Sequence, residues 1–185
     1  GKAFMTMFYA TGDKTWLDYT IRANRFYLEK MRWNSPEHPF YGYFMDQTVE
    51  GKQRQCFLWS QPYNVESLLA EYPLTGDEVV KEALLLNFEK VYSGLMWNDQ
   101  AGRWYWRGVV DPQTKPPQLI WKDDLNTFDA CEFGIDVMLN AYAFTANKKY
   151  LDRAVEAMSN QLQVLENYGL LLEDHAGEPS VNVYA

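Results

Sequence analysis

Positive charge is scarce in this chain: 17 Lys and Arg stand against 25 Asp and Glu, a formal charge of −8 at pH 7. Nucleic acids and anionic membranes are bound through surplus cations, so neither is expected as a partner. Long apolar runs are missing too, and nothing approaches the roughly 18 apolar residues that cross a bilayer. Sulfur and imidazole are sparse, with two cysteines and two histidines. Cys56 and Cys131 stand 75 positions apart without CxxC or Cys/His spacing, a pattern of buried thiols rather than of a metal site. No phosphate loop, dinucleotide fingerprint or Ser/His/Asp arrangement is present, so neither metal nor cofactor is expected.

Aromatic residues, by contrast, are abundant: seven Trp, thirteen Tyr and ten Phe in 185 residues. The 47% hydrophobic content is enough for one domain with a real core. One phrase recurs three times, as Ala10-Thr11-Gly12-Asp13, Leu74-Thr75-Gly76-Asp77 and Phe144-Thr145-Ala146-Asn147. Its steps are 64 residues from Gly12 to Gly76 and 70 from Gly76 to Ala146. Gly suits the left-handed position past a helix end, and Asp or Asn then caps the next helix. Each phrase therefore reads as the tight turn of a helical hairpin, and the chain as an array of three. The steps exceed the roughly 33–47 residues of compact helical repeats. The surplus length falls in long loops between hairpins, where function is expected.

Apolar stripes at helical spacing support this reading. Leu17, Ile21, Leu28 and Met31 predict a helix from Lys14 to about Met31, and Val80, Leu84 and Phe88 one from Glu78 to about Tyr92. Another helix is expected from near Tyr63 to Gly76, and a third pair over Asp129–Thr145 and Lys148–Asn167. Tyr41–Phe44 and Arg103–Arg107 have strand character within the loops. The first ten residues are apolar and helical without a preceding cap, which reads as a chain entered partway through a longer one. Phe4, Met5, Met7 and Phe8 are expected to be covered by further chain or by another subunit.

Hairpins of this length, joined by Thr-Gly-Asp turns and separated by aromatic loops, resemble the six-hairpin (α/α)6 toroid of many carbohydrate-active enzymes. The fold class expected is all-α, about half of such a ring in one partial domain over residues 1–185, with minor β-structure in the loops. Six units would take roughly 400 residues. Ile120-Trp121-Lys122-Asp123-Asp124-Leu125 resembles the Trp-x-Asp-x-Leu segment of unsaturated glucuronyl and rhamnogalacturonyl hydrolases. That resemblance implies a general acid/base at Asp123. Gly1-Lys2-Ala3 ahead of a Thr-Gly-Asp turn is similar to toroid domains of polysaccharide lyases, rhamnogalacturonan lyases among them.

Read as chemistry, the acidic group Asp123, Asp124, Asp129 and Glu132 straddles a loop end and a helix start. Glycoside hydrolysis needs carboxyl groups with separated pKa values, one donating a proton while another assists water. Crowding by like charges and by Trp121 raises a carboxyl pKa in the required direction. Capping and dipole compensation at a helix start use the same residue types. Trp104, Trp106 and Trp121 are candidate platforms for the apolar faces of sugar rings, with Arg107 for hydroxyl or carboxylate groups. Packing of these rings onto the helices is the competing use. At the entry to the second hairpin, Gln61, Tyr63, Asn64 and Glu66 are candidates to line a cleft. In a lyase Tyr63 would move the proton while an amide or Arg107 neutralised a uronate. The expected substrate is an acidic oligo- or polysaccharide, with a non-catalytic binding or assembly module as the alternative.

Overall fold

The computed structural model describes residues 1–38, 40–44, 55–57, 60–100, 102–104, 107–111, 118–122, 128–168, 172–175 and 178–181. The three hairpins are α1 (Lys2–Thr11) with α2 (Lys14–Lys30), α3 (Ser60–Thr75) with α4 (Glu78–Leu86), and α5 (Phe128–Thr145) with α6 (Lys148–Tyr168). Between them lie the short strands β1 (Gln55–Phe57), β2 (Trp97–Asn98), β3 (Arg103–Trp104), β4 (Arg107–Asp111) and β5 (Gln118–Lys122), and β6 (Leu172–His175) and β7 (Glu178–Val181) follow the third. All three turns fall where the repeated phrase puts them.

Each turn is built by the same hydrogen bonds. Gly12, Gly76 and Ala146 are left-handed, with φ of 70°, 62° and 55°. Their N–H groups donate to the carbonyls of Phe8, Tyr72 and Tyr142 at 2.7–2.8 Å. The carboxylates of Asp13 and Asp77 and the amide oxygen of Asn147 then cap the next helix, accepting from the N–H of Thr15, Val79 and Lys149. Threonine is the part the sequence reading leaves without a role. Thr11, Thr75 and Thr145 each donate a hydroxyl to the carbonyl four residues back. Each also accepts from the N–H of the capping residue. One side chain thus closes one helix and holds the opening of the next.

Consecutive odd helices pack on one another, α1 on α3 and α3 on α5, while the even helices α2, α4 and α6 make no comparable mutual contacts. Elements crowded on one side and spread on the other describe an arc with α1, α3 and α5 inside. The core lies between the two layers, around Val65, Leu68, Leu84, Phe88, Tyr92, Met138 and Ala157. An aromatic chain crosses from hairpin two to hairpin three: Tyr72 to Phe144 at 5.4 Å, Phe144 to Phe88 at 6.1 Å, Phe88 to Tyr150 at 6.2 Å. Hairpins one and two are joined by buried polar groups. The Asn24 amide donates to the Ser67 carbonyl and to Glu71 Oε2, and accepts from the Ser67 hydroxyl at 2.6 Å.

Three local expectations change. Helix α4 does not run on to Tyr92; at Asn87 it becomes a π-helical stretch, Asn87–Leu95, closed by the non-helical Gly94. Tyr41–Phe44 is not a strand but a turn through Gly42 (φ 94°), leaving one bridge between Arg32 and Phe44. The two described ends of Arg103–Arg107 fall in different sheets. Trp104 lies in a two-stranded ladder with β2, whereas β4 belongs to a separate three-stranded sheet, ordered β1-β4-β5.

Candidate functional site

Two strands of the three-stranded sheet feed inner helices. β1 leads into α3 and β5 into α5. Both run antiparallel to the central β4, and Phe57 and Lys122, their last residues, pair with the same residue, Arg107. The strands that precede both helices in sequence therefore end on Arg107. Asp123 and Asp124 follow Lys122 directly in sequence but lie outside the described residues, as does Trp106. The sheet places the Trp121 backbone opposite Gly108. Glu132 lies in the first turns of α5. The side chains of Arg107, Trp121 and Glu132 are outside the described part.

The side chains at the start of α3 are described, and they divide. Gln61 is fully buried and brackets one residue of the preceding loop: Phe44 N–H donates to Gln61 Oε1 at 3.1 Å, and Gln61 Nε2 donates to the Phe44 carbonyl at 2.8 Å. That pairing imitates a strand ladder and consumes the amide, so Gln61 holds a loop and does not line a cleft. Tyr63, by contrast, is 49% exposed. Its ring meets Phe133 of α5 edge-on at 6.1 Å. Asn64 beside it is half-buried.

Trp104 also departs from its expected role. It is only 3% exposed; its indole N–H donates to the Tyr92 carbonyl at 2.9 Å, and its ring packs against Trp97 at 4.8 Å. A Cβ on Gly134 would lie 2.2 Å from this ring. Trp104 is thus a plug seated in a notch on α5 that only glycine leaves open, and it presents no face to a sugar. The Arg153 guanidinium covers the Trp97 ring at 4.2 Å, which completes the packing.

Sequence reasoning named Glu66 as a cleft candidate but missed its partner. Lys2 of α1 forms an ion pair with Glu66 of α3 at 2.5 Å. Contact with Glu66 and its charge hold the ammonium above its ordinary pKa, and Tyr63 and Asp136 act in the same direction through space. Tyr63 and Glu66, three apart on α3, and Phe133 and Asp136, three apart on α5, share faces by helical spacing. Lys2 and Asp136 are exposed and Glu66 half-exposed, so these groups face outward from the inner layer. The available signal was polar spacing on helices otherwise read as buried.

No protein-family model and no curated protein sequence matches the chain. Solved structures do. A family 76 glycoside hydrolase from a bovine Bacteroides thetaiotaomicron strain superposes with a TM-score of 0.67 at 12% identity, over 85% of this chain and 32% of that one. An unsaturated glucuronyl hydrolase from Streptococcus agalactiae gives 0.62 at 16% identity, over 85% and 39%. A D-mannose isomerase gives 0.66 at 14% identity, over 97% and 43%. The chain spans less than half the length of each of these structures. At such identities the likeness concerns the fold, and the fold is that of the six-hairpin (α/α)6 toroid, of which this chain forms a part.

Proposed function

We propose that this chain is the part of a carbohydrate-active toroid enzyme that carries a hydrolytic site, cleaving a uronic-acid-containing oligosaccharide by general acid/base catalysis. The carrying observation is the register of the three-stranded sheet. Arg107 pairs with both Phe57 and Lys122, so the strand that precedes α3 and the strand that precedes the Asp123-Asp124 segment in sequence end on the same residue. A carboxyl there would donate a proton to the leaving oxygen while a second, Glu132 or the neighbouring Asp, assists water. Arg107 is the local cation for a uronate, and Trp121 the sugar platform in place of Trp104. Hydrolases and an isomerase share this fold, so fold alone does not choose the reaction.

The reading also names what surrounds the chain. Hairpin three docks on hairpin two through α5, and α5 with α6 offers another such surface, an apolar groove of about 220 Å³ between Leu139 and Met158. On α1, Phe4 and Met7 stay 37% and 40% exposed, while Met5 is already buried within this chain. The remaining hairpins of the ring, or another subunit, cover these faces.

The test is turnover of an acidic oligosaccharide by the enzyme carrying Asp123→Asn or Asp124→Asn. The variant at the acid should lose about 10²–10⁴-fold with folding retained. Unchanged turnover in both variants would sink the assignment. A second reading, β-elimination, is favoured by the half-exposed Tyr63. It would create a 4,5-unsaturated product absorbing in the ultraviolet, and Tyr63→Phe would then abolish turnover.

A further inference from the structure

The cluster on the inner layer has a composition of its own. Three helices contribute to it: Lys2 from α1, Tyr63 and Glu66 from α3, Phe133 and Asp136 from α5. Lys2, Tyr63 and Asp136 are exposed on helices of the inner layer. Tyr63 and Phe133, edge to face at 6.1 Å, make an apolar corner. Beside it the exposed Lys2 ammonium, held 2.5 Å from the buried Oε2 of Glu66, offers donors, and Asp136 adds an exposed carboxylate. Among the described residues the cluster carries two negative charges and one positive. An aromatic corner next to alternating donors and acceptors suits a pyranose, whose C–H faces are apolar and whose rim is hydroxyl. Its residual negative charge disfavours a carboxylate on that ring.

We propose that Lys2, Tyr63, Glu66, Phe133 and Asp136 form a subsite for a neutral pyranose, distinct from the Arg107 end where a uronate would sit. It rests on the carbohydrate reading above but not on the identity of the acid. Two isosteric probes separate the charge effect from shape: methyl β-D-glucopyranoside and methyl β-D-glucuronopyranoside, titrated against the intact protein by saturation-transfer NMR. With Arg107→Ala emptying the uronate end, the protein should bind the glucoside at least about fivefold more tightly, the scale of one unit charge at contact in water. Glu66→Gln with Asp136→Asn turns the cluster from net negative to net positive and should invert that preference. Tyr63→Ala should weaken both. Equal or tighter binding of the glucuronide by the Arg107→Ala protein overturns the proposal. So does undiminished glucoside binding by Tyr63→Ala, or no binding of either probe. The Asp123 and Asp124 variants read turnover instead, so the subsite and the acid assignment fail separately.

Discussion

The two ends of the hairpins follow different rules. At the turn end, three copies of one phrase make three copies of one hydrogen-bond set, down to the doubly engaged threonine. At the opposite end no two connections are alike: an aromatic turn held by Gln61, a sheet whose two outer strands end on one residue, and a tryptophan plug in a glycine notch. Local hydrogen bonds within four residues can be copied from repeat to repeat. Contacts between segments far apart in sequence are particular to each place. The repeated end builds the arc and the unrepeated end carries the candidate chemistry.

The contrast can be broken at either end. The largest effect on stability should come from the unrepeated end. Gly134→Ala drives a methyl into the Trp104 ring and should cost about 1–3 kcal/mol, read as a lower denaturant midpoint. A variant as stable as wild type would show that the plug is not tightly seated. At the turn end, Asp77→Ala should cost about 1 kcal/mol for the lost cap. Asp77 also pairs with Arg25 at 2.5 Å, so the loss should exceed that of Asp13→Ala, whose carboxylate is given only the cap. Equal losses would dismiss the ion pair. Ala146→Gly should go the other way and stabilise by about 0.5–1 kcal/mol, because a left-handed φ of 55° strains alanine. No gain in thermal midpoint would count against that strain.

The smallest effect is a slope. Burial raises the pKa of Glu71 above its ordinary 4.5, its largest influence, while the Asn24 hydrogen bond opposes. A carboxyl with a raised folded pKa binds its proton more tightly folded than unfolded. Stability is then fully present below the unfolded value and declines as pH climbs through the folded one. Glu71→Gln should flatten this decline above pH 4.5, so its stability relative to wild type grows with pH. Parallel stability–pH curves for the two proteins would refute it.

The sequence by itself determined the hairpins. Caps, left-handed turns and 3.6-residue stripes are local properties, and they predicted the three turns and the six helices, with the π-helical end of α4 as the exception. Even Ala146, the weak copy, turns where Gly12 and Gly76 do, since Thr145 and Asn147 supply the same bonds around it. Only the tertiary structure decided which polar and aromatic residues face outward. Trp104 and Tyr63 were equal candidates as residues; a carbonyl of Tyr92 and the notch at Gly134 bury one, while the open side of the arc exposes the other. Gln61 was claimed by a loop residue 17 positions away, and Lys2 found Glu66 across two helices. A side chain's environment is set by segments brought together only after the helices pack, and no local pattern encodes which segments those are.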